Sequence, residues 1–189
     1  MTARLVLRPF TAVDRQPFLE LNTHPRVVES LGSSPGRGES DAMISRYGQE
    51  LTREGWGFWA LEVRGASPFV GMVGLHRVSP ALPRAPAVEV GWRLHPDHWG
   101  HGYATEAAAA SLDFGFNEAE LDEIVAFTTT LNTRSQAVME RIGMTRDRDG
   151  DFDHPCVPES SPLRPHVLYR ISAPVTSSST SQGSPSVAS

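Results

Sequence analysis

Two glycines, Gly100 and Gly102, lie between a valine-rich stretch and an alanine-rich stretch of this chain. A glycine turn that opens a helix presents unpaired N–H groups at the positive end of the helix dipole, and it lets an anion approach the backbone closely. The segment therefore predicts an anion site, with phosphate as the ligand. A glycine turn is also common as a simple break between a strand and a helix, so the turn alone leaves both interpretations open.

The basic residues narrow the kind of phosphate ligand. All 17 basic side chains are arginine, and the chain contains no lysine. Walker-type nucleotide hydrolases need a lysine on the phosphate loop, and Schiff-base or pyridoxal chemistry needs a lysine amine, so these classes are excluded. A dinucleotide-binding loop of the Rossmann type needs a third glycine where Thr105 stands, which disfavours that class as well.

Composition indicates a single globular domain of 189 residues, 39% of them hydrophobic. The formal net charge of −5 argues against a general nucleic-acid binder. No apolar run approaches the roughly 20 residues that a membrane-spanning helix needs, so no membrane partner is expected. The first residues acquire charge too early for a signal peptide, and the lone Cys156 cannot form an internal disulfide. We therefore expect a cytoplasmic location.

Hydrophobic periodicity predicts a mixed α/β sheet. The predicted strands cover residues 4–8, 57–63, 69–78, 87–94, 123–131 and 167–171. The predicted helices cover residues 11–23, 27–31, 40–53, 103–116 and 132–142, with a loop at 33–38. Residues 173–189 are rich in serine and threonine and are predicted to be a disordered tail, which leaves 1–172 as the folded domain.

Four ordered motifs together resemble a known family. They are Glu-Val-Gly-Trp-Arg-Leu at 89–94, His-Pro-Asp-His-Trp-Gly-His-Gly-Tyr-Ala-Thr-Glu-Ala at 95–107, Asn-Thr-Arg-Ser at 132–135 and Ile-Gly-Met at 142–144. Over about residues 4–171 the chain resembles the GNAT superfamily of acetyl-CoA-dependent N-acetyltransferases, and within it the RimJ/RimL type that acts on ribosomal-protein alanine. The resemblance implies a mostly antiparallel sheet splayed between two parallel central strands, with helices on both faces.

The resemblance implies acetyl-CoA as the cofactor. The turn would grip the CoA pyrophosphate, and its first position is Trp99, where the family has glutamine or arginine, so one polar contact is expected to be lost. The pantetheine arm would lie beside the strand 88–94, Asn132 would bond its amides, and Arg134 would meet a phosphate. The implied cofactor-binding residues are Trp92, Arg93, Leu94, Trp99, Gly100, His101, Gly102, Tyr103, Ala104, Thr105, Asn132 and Arg134.

The resemblance also suggests how catalysis would proceed. A backbone N–H near Trp92 to Leu94 would stabilise the oxyanion, and Gly91 would allow the bulge that this requires. Glu89 alternates with two valines and faces away from them, so it is our candidate general base; a carboxylate paired with an arginine across the sheet is an equal alternative. The helix after Asn132 carries no tyrosine, so Ser135 is the candidate acid, with helix capping as its alternative role.

The resemblance leaves several questions open. The acceptor is a primary amine, either of a small molecule or of a protein N-terminus. A CoA-binding module without turnover is one alternative, and an enzyme that uses another donor such as succinyl-CoA is a second. No metal is expected, and a homodimer is compatible with the resemblance.

Overall fold

A computed structural model describes residues 2–174. The strands are β1 (Leu5–Arg8), β2 (Phe58–Val63), β3 (Ser67–Arg77), β4 (Val88–Leu94), β5 (Glu123–Thr129), β6 (Thr145–Asp153) and β7 (Pro165–Ser172). The helices are α1 (Arg15–Thr23), α2 (Pro25–Leu31), α3 (Arg37–Glu54), α4 (Tyr103–Asn117) and α5 (Thr133–Arg141), with single 3-10 turns at Ala12–Asp14 and Pro96–His98. The predicted tail lies outside the described residues from 175 onward.

The seven strands form one sheet in the order β1-β2-β3-β4-β5-β7-β6. All neighbouring pairs are antiparallel except β4 and β5, which are parallel. Between these two central strands only Glu89 and Val125 are paired in register, whereas β4 pairs with β3 along its whole length. The strands therefore separate after Glu89, and the splayed, mostly antiparallel sheet expected from the sequence is confirmed.

Helices cover both faces of the sheet. On one face, Trp59 of β2 packs edge-on against Phe114 of α4, with 5.5 Å between ring centroids. On the other face, Phe58 packs against Tyr47 of α3 at 5.1 Å. Because neighbouring residues of a strand point to opposite faces, these two contacts place α4 and α3 on opposite sides of β2.

Val88 and Val90 lie in the core on the α4 face. Alternation directs the side chains of Glu89 and Arg93 to the opposite face, which also carries α1 and α3.

The structure differs from the sequence prediction at several elements, among them β6, α3 and β5. The strand β6 is missing from the sequence prediction, because its Thr-Arg-Asp-Arg-Asp-Gly-Asp stretch is an edge strand with little apolar alternation. The helix α3 begins at Arg37, inside the predicted loop, with Glu39 accepting from the N–H of Gly36 at 2.9 Å. The strand β5 ends at Thr129, two residues earlier than expected.

Gly91 causes no bulge in β4, which stays in continuous register with β3. A Cβ on Gly91 would instead lie 3.1 Å from the ring of Phe58, so the glycine makes room for that ring. The nearby Gly71 has φ of +153°, and a Cβ there would lie 2.2 Å from the carbonyl oxygen of Arg93. These glycines let neighbouring groups approach β4 and β3 closely.

None of the helices formed by residues 2–174 combines the length and the hydrophobicity that a membrane-spanning segment needs.

Candidate functional site

The glycine turn and the first turn of α4 form the candidate phosphate site. Gly100 and Gly102 have φ of +82° and +77°, a left-handed conformation that favours glycine. Gly102 is the N-cap of α4. Within the described part of the chain, no backbone carbonyl accepts from the N–H of Tyr103, Ala104 or Thr105. Three donors at the positive end of α4 are therefore available to an anion.

Trp99 holds two arginines beside this turn. Its indole Nε1 donates to the carbonyl oxygen of Leu94 at 2.8 Å, which fixes the ring. The guanidinium carbons of Arg26 on α2 and Arg134 on α5 each lie 4.6 Å from the centre of the ring, within cation–π range. Both arginines are exposed, so their N–H groups can still meet a phosphate. Where one polar contact was expected to be lost, Trp99 instead positions two permanent charges.

His98 supplies little charge to the turn. Burial, and then the neighbouring His95, lowers the pKa of His98, so this ring is neutral at pH 7. His101 is exposed and stacks on Tyr103, with 5.4 Å between ring centroids. The backbone carbonyl of His101 accepts a hydrogen bond from Nη1 of Arg4 at 3.0 Å. Arg4 therefore ties the start of the chain to the turn.

Glu106 in the first turn of α4 connects this helix to the start of β1. Its carboxylate accepts from the hydroxyl of Thr2 at 2.5 Å and from the N–H and Nε of Arg4 at 3.1 and 2.6 Å. Burial alone would raise the pKa of Glu106, but these hydrogen bonds outweigh it and hold the pKa below its ordinary value. Glu106 thus stays ionised and has a structural role.

The edge of β4 that faces β5 offers free backbone donors. The N–H of His95 donates to the carbonyl of Val70 on β3 at 2.9 Å. Because successive N–H groups of a strand point in opposite directions, the N–H of Arg93 also faces β3, while those of Trp92 and Leu94 face the gap before β5. The expected oxyanion contact thus narrows to Trp92 and Leu94. The side chain of Arg93 lies on the face that carries α1, where it bonds to Asn22.

Glu89 lies where β4 and β5 begin to separate. Its side chain is half-buried, and no residue of the described range 2–174 forms a hydrogen bond or ion pair with it. Burial raises the pKa of Glu89 from 4.5 to about 7. The alternative of an arginine paired across the sheet is therefore wrong. A carboxyl group with this pKa can accept a proton near neutral pH.

Asn132 and Ser135 form a small hydrogen-bonded unit at the start of α5. The amide oxygen of Asn132 accepts from the N–H of Ser135 at 3.2 Å, and its Nδ2 donates to Thr128 Oγ1 and to Ser135 Oγ, both at 3.0 Å. Asn132 is therefore the helix cap, and its amide is already engaged within the protein. Ser135 Oγ accepts here, so its own proton remains free to be donated. The capping role considered for Ser135 belongs to Asn132.

Two site residues were not predicted from the sequence, Arg4 and Arg26. Both come from elements more than 70 residues away in the chain and reach the turn only through folding. The residues next to Arg4 and Arg26 in the sequence form no motif that indicates a binding role, so neither arginine could be singled out. Among residues 2–174 no group of His, Cys, Asp and Glu is arranged to hold a metal ion.

Comparison with known proteins agrees with this geometry. A family described as acetyltransferase (GNAT) domain matches residues 4–145. A curated Aspergillus fumigatus protein, FsC-acetyl coenzyme A-N(2)-transacetylase, is 31% identical over 151 residues, covering 76% of this chain and 63% of its own. A curated Bacillus subtilis protein, YkkB, is 37% identical over 97 residues, covering 50% of this chain and 55% of its own. The chain thus spans about half to two thirds of the length of these relatives.

Solved structures match the fold over nearly its whole length. A GNAT-family acetyltransferase from Bacillus anthracis has a TM-score of 0.75 at 26% identity, covering 91% of this chain and 96% of its own. A RimL ribosomal L7/L12 acetyltransferase in complex with coenzyme A has a TM-score of 0.73 at 14% identity, covering 91% and 96%, and shows the fold alone. The expected fold is confirmed, while the RimJ/RimL branch is not. The chain belongs to the GNAT acetyltransferase family.

Proposed function

We propose that this protein transfers the acetyl group of acetyl-CoA to a primary amine by direct attack within a ternary complex. The observation that carries the proposal is the unpaired, half-buried carboxyl of Glu89 at the point where β4 and β5 separate. Because burial brings the pKa of Glu89 to about 7, the group is poised to take a proton at neutral pH.

The cofactor would enter on the side of the glycine turn. The pyrophosphate would accept from the N–H groups of Tyr103, Ala104 and Thr105, with the guanidinium groups of Arg26 and Arg134 beside it. The pantetheine arm would occupy the gap between β4 and β5 like an added strand, since the edge of β4 is unpaired there. Acetyl-CoA is the donor used by this family.

The acetyl transfer would then use three groups of the chain. Glu89, directly or through one water, would accept a proton from the acceptor ammonium or from the attacking nitrogen. The N–H of Trp92 or Leu94 would donate to the oxygen of the tetrahedral intermediate, a contact worth a few kcal/mol in the transition state. The thiolate of CoA would leave as Ser135 Oγ, which Asn132 holds in place, gives it a proton and takes one from a water molecule in the same step.

The acceptor would be a small-molecule amine or a protein N-terminus. The Aspergillus relative is named an acetyl coenzyme A-N(2)-transacetylase, which supports transfer of the acetyl group to a nitrogen here. The RimJ/RimL-like activity, the homodimer and the cytoplasmic location stay predictions.

The direct test is release of thiol from acetyl-CoA with a panel of amines, with the acetylated product identified by mass spectrometry. We expect release with at least one amine, and a loss of roughly a hundredfold or more in kcat for Glu89→Gln. Succinyl-CoA in place of acetyl-CoA tests the donor. Binding of CoA in calorimetry without thiol release for any amine would refute turnover and favour a CoA-binding module.

A further inference from the structure

Arg93 is a charged residue on the acceptor-facing side of β4 to which the reaction above gives no role. Its N–H faces β3, and its side chain lies on the same face of the sheet as Glu89, opposite α4. The guanidinium Nη1 donates to Oδ1 of Asn22, a fully buried residue of α1. Nδ2 of Asn22 in turn donates to the carbonyl of Phe18 at 2.8 Å, which fixes the amide so that its oxygen faces Arg93. The fold therefore holds Arg93 in one position.

This guanidinium has no counter-ion within the chain. Among residues 2–174, no carboxylate forms an ion pair with Arg93, although the side chain is half-buried. Burial lowers the pKa of Arg93, yet an arginine remains charged under any ordinary condition. The other group that acts on Arg93 is the phenol of Tyr47, and burial raises the pKa of Tyr47, so it is neutral. The positive charge of Arg93 is thus partly removed from water and bonded only to the neutral amide of Asn22. No negative charge of the described residues compensates it.

The helix α2 connects the end of β4 with the loop between β6 and β7. The helix α2 sits at the end of β4, where His24 contacts His95 with 5.1 Å between ring centroids. At the end of α2, Gly32 lies against the side chain of Leu163, which belongs to the loop between β6 and β7. The contact joins the β4 side of the sheet to the β7 side across the gap.

We propose that Arg93 binds a carboxylate of the acceptor, so that the acceptor is an amine that also carries an acid group. This inference rests on the proposed function and specifies its substrate class. Glu89 and Arg93 are four residues apart on one strand, roughly 13 Å between Cα atoms, and both side chains lie on the same face of the sheet. The amine would be directed to Glu89 and the carboxylate to the fork of N–H donors on Arg93 that Asn22 leaves free.

The test compares acids with their neutral analogues. The unmodified enzyme is assayed with unbranched amino acids from glycine to 6-aminohexanoate, each alongside its primary amide, and with polyamines. We expect at least one acid to have a KM roughly ten to a hundred times lower than its amide, as one charge-assisted contact implies. Acetylation of amides or polyamines without a preference for any acid would overturn this inference and leave the proposed function intact. Absence of thiol release with every amine, while CoA still binds, would remove both.

Two variants show whether Arg93 is responsible. In Arg93→Met the KM of the amide divided by the KM of the matching acid should fall to about one. This ratio does not depend on a loss of kcat that affects both substrates equally. Asn22→Asp places a carboxylate beside Arg93 and should abolish the preference while the arginine is retained. The control Arg148→Met removes an exposed arginine of β6 and should keep the full ratio. Thermal melting and CoA calorimetry establish that each variant is folded. A preference that survives in either folded variant would refute the assignment.

Discussion

Replacing Glu89 by glutamine should make this protein more stable and far less active. Between pH 4.5 and about 7, the native carboxyl keeps its proton while the same group in the unfolded chain has lost it. The native state then binds more protons than the unfolded state, so the free energy of unfolding falls as the pH rises through this window. Above pH 7 the penalty is complete. Glutamine resembles the protonated carboxyl in shape and carries no charge, so it removes the penalty.

The size of the effect follows from the pKa. The interval between 4.5 and about 7 corresponds to about 3 kcal/mol, at about 1.4 kcal/mol for each pH unit. At pH 8 the free energy of unfolding of Glu89→Gln should therefore be about 3 kcal/mol higher than that of the unmodified protein. For a domain of this size, the melting temperature should be roughly 6–12 °C higher. At pH 4 the two proteins should be equal, since the carboxyl is then protonated in both states.

Urea unfolding at pH 4 and pH 8 measures the difference in stability. The pH dependence of acetyl transfer measures the predicted loss of activity. The rate of the unmodified enzyme should rise through about pH 7, and the variant should lose that inflection together with a factor of roughly 10² to 10⁴ in kcat. Glu29→Gln, at an exposed site on α2, is the control and should change stability by less than about 0.5 kcal/mol. Equal stability of Glu89→Gln and the unmodified protein at pH 8 would refute the argument that burial raises the pKa of this carboxyl.

Three further predictions concern the cofactor and the leaving group. Gly102→Val forces a β-branched residue into φ of +77° and should abolish CoA binding in calorimetry, whereas Gly65→Val, with φ of +66° in the β2–β3 turn, should bind CoA normally. Arg26→Ala should weaken CoA binding roughly three- to thirtyfold, and the loss should shrink at high salt because the contact is electrostatic; an effect independent of salt would contradict the phosphate contact. Ser135→Ala should lower kcat with unchanged CoA affinity, and a variant with full kcat would remove the serine as the acid.

The sequence predicted the parts of the site that depend on neighbouring residues. The turn from Trp99 to Thr105 could be predicted because a strand, two glycines and a helix follow one another within a few residues. Glu89 could be placed on its face because alternation with Val88 and Val90 is local. Both predictions concern backbone geometry that is set within about ten residues.

The remaining features arise only when distant segments meet. Arg26, which lies more than 70 residues before Trp99 in the sequence, reaches it from α2, and no spacing rule connects the two positions. The contact of Asn132 with the cofactor stays a prediction, whereas its hydrogen bonds to Thr128 and Ser135 depend on how α5 leaves β5. The polar strand β6 could not be recognised because it pairs on one side only and buries little apolar surface. Tertiary packing, and not local preference, decides these cases.

The single registered pair between β4 and β5 has a consequence for how the molecule responds to its cofactor. The strands β1 to β4 and β5 to β7 form two half-sheets whose backbone ladder is nearly interrupted at one seam. A ligand that bonds to both edges of the seam would convert two mechanical units into one. Amide hydrogen exchange on both sides of the seam should then slow together when CoA binds, and the melting temperature should rise with CoA concentration. The chain forms five of the six interstrand ladders in full, or nearly so, and the bound cofactor would supply the strand that is missing from the sixth.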